Sequence, residues 1–308
     1  MLNKEKGRYQ MFNQSNSNKS QPSASFGARL GIFIYILMAS SKILGGLFFD
    51  SPSVYADGLN NLSDVFSSLA IFIGLFIAQR PKDDDHYFDH HKYESLASFI
   101  VAMLMANIGI DVIRSAINRF IQKDFPNPHL KVMWISVLSS IILFITYKYL
   151  KAIATKNRSL GLRATAQDMF TDVMISLSTI IGTLAANRGY AFIDIFIAIL
   201  VGLLTIYSAF TIIKDSTFIL SDAFNKEDLL KYQVAVEKHP RVKKVRAIRA
   251  RRSGVNIYVD VVVEIDGALS VTESHTITEE IEIILNRLYQ VYDTDVHVEP
   301  YTHKSNHY

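Results

Sequence analysis

Tyr55-Ala-Asp57-Gly-Leu-Asn60-Asn61-Leu-Ser-Asp64 and Ala164-Thr-Ala-Gln-Asp168-Met-Phe-Thr-Asp172 decide how this chain is read. Both lie inside stretches otherwise apolar enough to cross a bilayer. A charged side chain at the centre of a membrane helix costs about 2.5–3.5 kcal/mol on insertion scales, so such residues face a polar interior and mark function. Asn60 and Asp64 are four residues apart, as are Asp168 and Asp172. On a helix that spacing puts both side chains on one face, one turn apart. Two such helices facing each other bring four oxygen-bearing side chains to one point. Oxygen ligands suit hard divalent cations, and the absence of sulfur argues against a thiolate site. Asp57, a turn before Asn60, reads as a supporting or vestibule group, and Asn61 as a packing amide.

Outward from these stretches, six segments are rich enough in apolar residues to span, near 30–49, 55–79, 95–120, 131–150, 165–187 and 191–213. Each reaches the roughly 20 residues a bilayer core requires. The second and fifth carry the polar residues. The chain has 308 residues, 49% of them hydrophobic, and its mean hydropathy of +0.18 is mild because about a third of it is not membrane-like. With no cysteine, neither disulfides nor thiolate sites are available. The polar segment 1–25 reads as a disordered arm. The first apolar run follows it without a small-residue cleavage site and is read as a retained span.

Basic residues set the orientation. Lys4, Lys6, Arg8, Lys19 and Arg29 precede the first span. Arg80, Lys82 and Lys92 follow the second, and Lys148, Lys151, Lys156, Arg158 and Arg163 surround the fourth-to-fifth connection. On the other side the first-to-second turn has none and the fifth-to-sixth only Arg188, with Arg119, Lys123 and Lys131 as an exception. The positive-inside rule places both termini in the cytoplasm of a multi-pass cell-membrane protein. A net charge of +3 is too small to suggest nucleic acid as a partner.

From 214 to 308 the pattern changes. Residues 226–238 have helical spacing, Val245–Arg252 and Asn256–Glu264 read as strands around a Ser253-Gly254 turn, Val271–Leu288 is an amphipathic helix, and Asp295–Glu299 is a strand stopped by Pro300. The order αββαβ indicates a small α+β domain. The domains expected are therefore a 1–25 arm, a six-helix membrane domain over 26–213, and a cytoplasmic domain over 214–308.

This organisation resembles the cation diffusion facilitator family. The resemblance rests on Asp57 to Asp64 with the Val65-Phe-Ser-Ser that follows, on the loop Arg80-Pro-Lys-Asp-Asp-Asp-His-Tyr-Phe-Asp-His-His-Lys-Tyr-Glu94, and on Asp168-Met-Phe-Thr-Asp172. It implies a homodimer with a ferredoxin-like, metallochaperone-like cytoplasmic domain, exporting divalent metal in exchange for protons, with no prosthetic group. It also implies Asn60, Asp64, Asp168 and Asp172 as the transport ligands. Zinc-type members carry histidine among these positions. The all-oxygen set here resembles the manganese-exporting branch, with Fe²⁺ and Zn²⁺ as further candidate substrates.

By the same resemblance, Asp83, His86 and His90 form a loop metal site. Relatives have Pro-Tyr-Gly between the histidines where this chain has Tyr87-Phe88-Asp89. Lys92 pairs with Asp222 across the dimer. His275, His297 and Glu299 match metal positions of the cytoplasmic domain, whereas Arg246 and Val262 stand where two further histidines would be. Two other classes compete: an intramembrane aspartyl protease using paired carboxylates, and a non-transporting metal sensor. The protease reading leaves the amide and the histidine loop idle and lacks a Gly-x-Gly-Asp element.

Overall fold

The structure, a computed structural model, describes residues 2–48, 52–122, 130–186 and 192–301. Lys123, Arg188, His303 and His307 lie outside the described residues. The chain divides into two compact units, residues 1–217 and 218–308.

The first unit is built of α1 (Leu2–Phe48), α2 (Pro52–Ala78), α3 (Lys92–Gln122), α4 (Leu130–Asn157), α5 (Leu160–Ala186) and α6 (Phe192–Leu220). Helix α1 starts at Leu2, so the arm read from sequence as disordered continues the helix of the first span. The apolar part of that helix is Ala24–Phe48. In the bundle α1 packs on α2 and α4, α2 on α3 and α5, and α4 on α5.

Burial runs opposite to that of a water-soluble bundle. Phe33, Phe66, Phe144, Phe196 and Phe210 point outwards, while Ala28, Ala102, Ala164, Ala166 and Ala209 are inside. Lipid is as apolar as leucine, so helices associate through small residues that allow close approach. Gly109 of α3 and Gly202 of α6 show this: a Cβ on Gly109 would lie 3.0 Å from the Gly202 carbonyl oxygen.

Among the described residues, five helices are long and apolar enough to cross a membrane: the Ala24–Phe48 part of α1, the Asp57–Ala78 part of α2, α3, the Trp134–Asn157 part of α4, and the Ile195–Leu220 part of α6. Helix α5 is 27 residues long, and its first half is enclosed. Leu162, Ala164, Thr165, Ala166, Asp168, Met169, Thr171, Asp172 and Val173 are all buried by neighbouring helices. An enclosed helix faces little lipid and can carry polar groups that a lipid-facing one cannot.

The second unit contains α7 (Lys226–Glu237), β1 (Lys244–Ser253), β2 (Asn256–Ile265), α8 (Val271–Tyr289) and β3 (Asp293–Pro300), the αββαβ order read from the sequence. The sheet order is β1-β2-β3. The β1–β2 hairpin is antiparallel, with an irregularity between Val245 and Ala247, and β2 pairs β3 in parallel. Gly254 turns the hairpin at φ 55°, a left-handed conformation that glycine adopts without steric cost. Helix α8 crosses between the two parallel strands and buries Ile277, Ile281 and Leu285 completely against Val259, Val261 and Val263. Its start is fixed by a capping box, Ser270 accepting from the Glu273 amide and Glu273 accepting from the Ser270 amide.

Candidate metal centre

Asp64 on α2 and Asp168 and Asp172 on α5 are all buried. Asn61 Nδ2 donates to Asp64 Oδ2 at 3.1 Å. The hydroxyl of Tyr35, itself fully buried on α1, donates to Asp168 Oδ2 at 3.0 Å. Asp172 Oδ2 is buried and has no hydrogen-bond partner. Three helices thus contribute to one polar interior, and one buried carboxylate oxygen in it has no hydrogen-bond partner. Among the described residues the three aspartates do not all offer oxygens within 4.8 Å of one another.

Asn60 is half-buried. With Asp57 it lines a cavity of about 340 Å³ that also contacts Asp111, Ser115 and Arg119 of α3, Ser178 of α5 and Val201 of α6. Asp57 is held by Lys42 of α1, whose Nζ lies 2.8 Å from Asp57 Oδ2. Lys42 thus places a basic residue beside the acidic groups of α2. It is a buried lysine inside the first span, and its partner lies across the α1–α2 hairpin. Asn61, read as a packing amide, is a hydrogen-bond donor to Asp64.

In the loop between α2 and α3, Asp83, His86 and His90 offer ligand atoms that all lie within 4.8 Å of one another. His86 Nδ1 is 2.8 Å from Asp83 Oδ1, and His90 Nε2 is 3.2 Å from Asp83 Oδ2. The hydrogen bond from His86 holds the Asp83 carboxyl below the usual carboxylate range, helped by backbone donors from His86 and Asp85. The turn between the histidines closes on Asp89, at φ 75°. Aspartate is one of the few non-glycine residues that visit this region readily. Its Oδ1 accepts from the His91 amide at 2.9 Å. One carboxylate and two imidazoles form a set that first-row divalent metals accept.

Lys92 opens α3, and Asp222 sits at φ 57° just after α6. They fall in separate units. In the second unit His275 is exposed, 3.5 Å from Glu279. His297 Nε2 is 3.9 Å from Glu299 Oε1, while the other Glu299 oxygen pairs with Arg246. The arginine found in place of a histidine therefore already neutralises this carboxylate. A pair that sequence reading missed, between buried His239 and the exposed Glu280 at 2.7 Å, ties α8 to the segment after α7.

Acidic groups enclosed within a bundle of membrane-length helices, together with a ligand cluster at its loop, fit a carrier of divalent metal ions. Residues 28–221 match the cation efflux transmembrane domain and residues 224–301 the cation efflux protein cytoplasmic domain. The chain belongs to the cation efflux family, also called the cation diffusion facilitators. It is 36% identical to the manganese efflux system protein MneS of Bacillus subtilis over 278 residues, 90% of this chain and 96% of the relative. It is 27% identical to MneP of the same organism, over 89% of this chain and 95% of the relative. Identity to the cation-efflux pump FieF of Pectobacterium atrosepticum is 22%, over 81% and 84% of the two chains. A solved MamM CTD chain is 25% identical, covers 25% of this chain and all of its own, and has a TM-score of 0.24. Membership of this family sets aside the protease alternative.

Proposed function

We propose that this protein exports Mn²⁺ from the cytoplasm in exchange for protons, as a homodimer in the cell membrane. The observation that carries this reading is the donor set. Asn60, Asp64, Asp168 and Asp172 supply only oxygen, and oxygen donors suit Mn²⁺ better than Zn²⁺. The likeness to MneS and MneP, both named for manganese efflux, supports it. Carboxylates crowded at one place oppose one another's ionisation, so a proton competes with the metal for them. That competition is the physical basis for exchange.

In this reading α5 is a sixth span and both termini are cytoplasmic. Residues 26–213 form the transport domain and 214–308 the cytoplasmic dimerisation domain. Asp57 shapes the vestibule beside Asn60. The Asp83, His86 and His90 cluster takes a second ion, and Lys92 meets Asp222 across the dimer. His275, His297 and Glu299 contribute at most a weak regulatory site, because Arg246 already neutralises Glu299. No prosthetic group takes part; metal and proton are the substrates.

The test is flux in proteoliposomes with an imposed pH gradient. Mn²⁺ should move against the proton gradient and dissipate it. Equal Mn²⁺ movement with and without a gradient, and no proton counterflow, would remove the exchange mechanism.

A further inference from the structure

We propose that Glu94 is a positioning residue that couples the Asp83, His86 and His90 cluster to the transport aspartates. The proposal rests on the export reading above. Glu94 lies in the first turn of α3 and belongs to the same piece of backbone as the cluster. The Tyr93 and Glu94 amides donate to the carbonyls of His90 and His91 at 3.0 and 3.3 Å. Between the cluster and Glu94 stands Tyr93, whose hydroxyl is 3.3 Å from His86 Nε2 and whose ring lies 5.9 Å from both imidazole centroids.

The Glu94 side chain reaches away from the cluster to the start of α5. Its Oε1 accepts from the Ser159 hydroxyl at 2.5 Å and from the Gly161 amide at 3.0 Å. Ser159 Oγ in turn accepts from the Leu162 amide at 3.2 Å. A carboxylate at a helix N-terminus satisfies free amides and meets the positive end of the helix dipole. One oxygen therefore holds the first turn of α5.

Helix α2 closes the junction. A Cβ added to Gly161 would lie 2.9 Å from Ile71 Cγ2 and 3.4 Å from Glu94 Cγ. Ile71 itself is fully buried. The helices that carry the transport residues thus meet at Glu94. Asp64 precedes Ile71 by seven residues, and Asp168 follows Gly161 by seven. Seven residues are about two turns, roughly 10 Å of helix. A helix of that length moves nearly as a rigid body, so a shift at the junction reaches both sets of ligands. Ion occupancy at the loop fixes the start of α3, and Glu94 passes that order to α5.

A double-mutant cycle on Mn²⁺ flux tests this coupling. The variants are Glu94→Gln, Asp83→Ala with His86→Ala, and all three changes together. Affinity (KM) and maximal rate are read separately in proteoliposomes of the full-length chain. Glu94→Gln and the loop variant should each impair the same parameter, by about tenfold, within the usual range of coupling between sites. The combination should be no worse than either alone, and Glu94→Asp should restore part of the effect. Effects that multiply, or a Glu94→Gln protein indistinguishable from native, would overturn the coupling while leaving export intact. If Glu94→Gln fails to insert, Ser159→Ala replaces it in the same cycle, removing only the α5 side of the contact. A native protein without Mn²⁺ flux would instead overturn the export reading, and the coupling with it.

Discussion

Lys42 and Asp57 form an ion pair inside the α1–α2 hairpin, 2.8 Å between Nζ and Oδ2, with the lysine 1% exposed and the aspartate 35%. The inequality of exposure matters. Removing one member of a buried pair leaves the other as an uncompensated charge, which costs about 3–5 kcal/mol when it is fully buried.

Asp57→Asn should therefore destabilise the protein more than Lys42→Met does. The first takes the paired carboxylate from a fully buried ammonium; the second leaves a carboxylate that the cavity can hydrate. The double variant should be more stable than Asp57→Asn alone. Thermal unfolding in detergent ranks the three, and a Lys42→Met protein less stable than Asp57→Asn would refute this account of the pair.

Asp64→Ala and Asp172→Ala should each abolish Mn²⁺ transport while the protein still inserts. Each removes a charged oxygen donor, and Asp172 contributes the buried oxygen that has no protein partner. Flux and surface yield are measured together. Near-native flux in either variant would remove that residue from the site.

Asp89 holds a left-handed turn between the loop histidines. Asp89→Gly should preserve the cluster, because glycine adopts this conformation freely. Asp89→Val should open it, since a β-branched residue is a steric outlier there. Mn²⁺ binding is best read in an Asp172→Ala background, which silences the transport site. The idea fails if valine binds as well as glycine.

Stability of the cytoplasmic unit should depend on pH through Glu273. Its carboxyl is held below the usual glutamate range, chiefly by the Ser270 side chain and then by the Ser270 amide. A depressed folded-state pKa contributes stability above the unfolded value, about 4.3, and loses it as pH falls through the folded value. Glu273→Gln should thus lower the unfolding midpoint of residues 218–308 at pH 7, with the gap narrowing in acid below pH ~4. A gap independent of pH would show that the cap does not act through charge. The same fragment should fold without metal, because Ile277, Ile281, Leu285 and the β2 valines supply its core.

Local pattern was legible in the sequence and long-range pairing was not. The αββαβ order could be read because alternation in β2 and the apolar stripe of α8 follow directly from which faces are buried. The i,i+4 pairs Asn60/Asp64 and Asp168/Asp172 stand out because polar and charged residues are conspicuous in an apolar run. Lys42 was passed over because its partner is fifteen residues away across a hairpin, beyond any helical period. Glu94 entered the sequence reading only as the last residue of the Arg80–Glu94 loop; its contacts depend on the start of α5, where Ser159 lies sixty-five residues further on.

Metal selectivity is where the central claim is most exposed. Native protein and Asn60→His are compared for Mn²⁺, Fe²⁺ and Zn²⁺ flux, in competition, in proteoliposomes under one pH gradient. The all-oxygen site should favour Mn²⁺, and the imidazole should move preference towards Zn²⁺. Native protein that carries Zn²⁺ in preference to Mn²⁺, with the ratio unchanged by Asn60→His, would contradict the account.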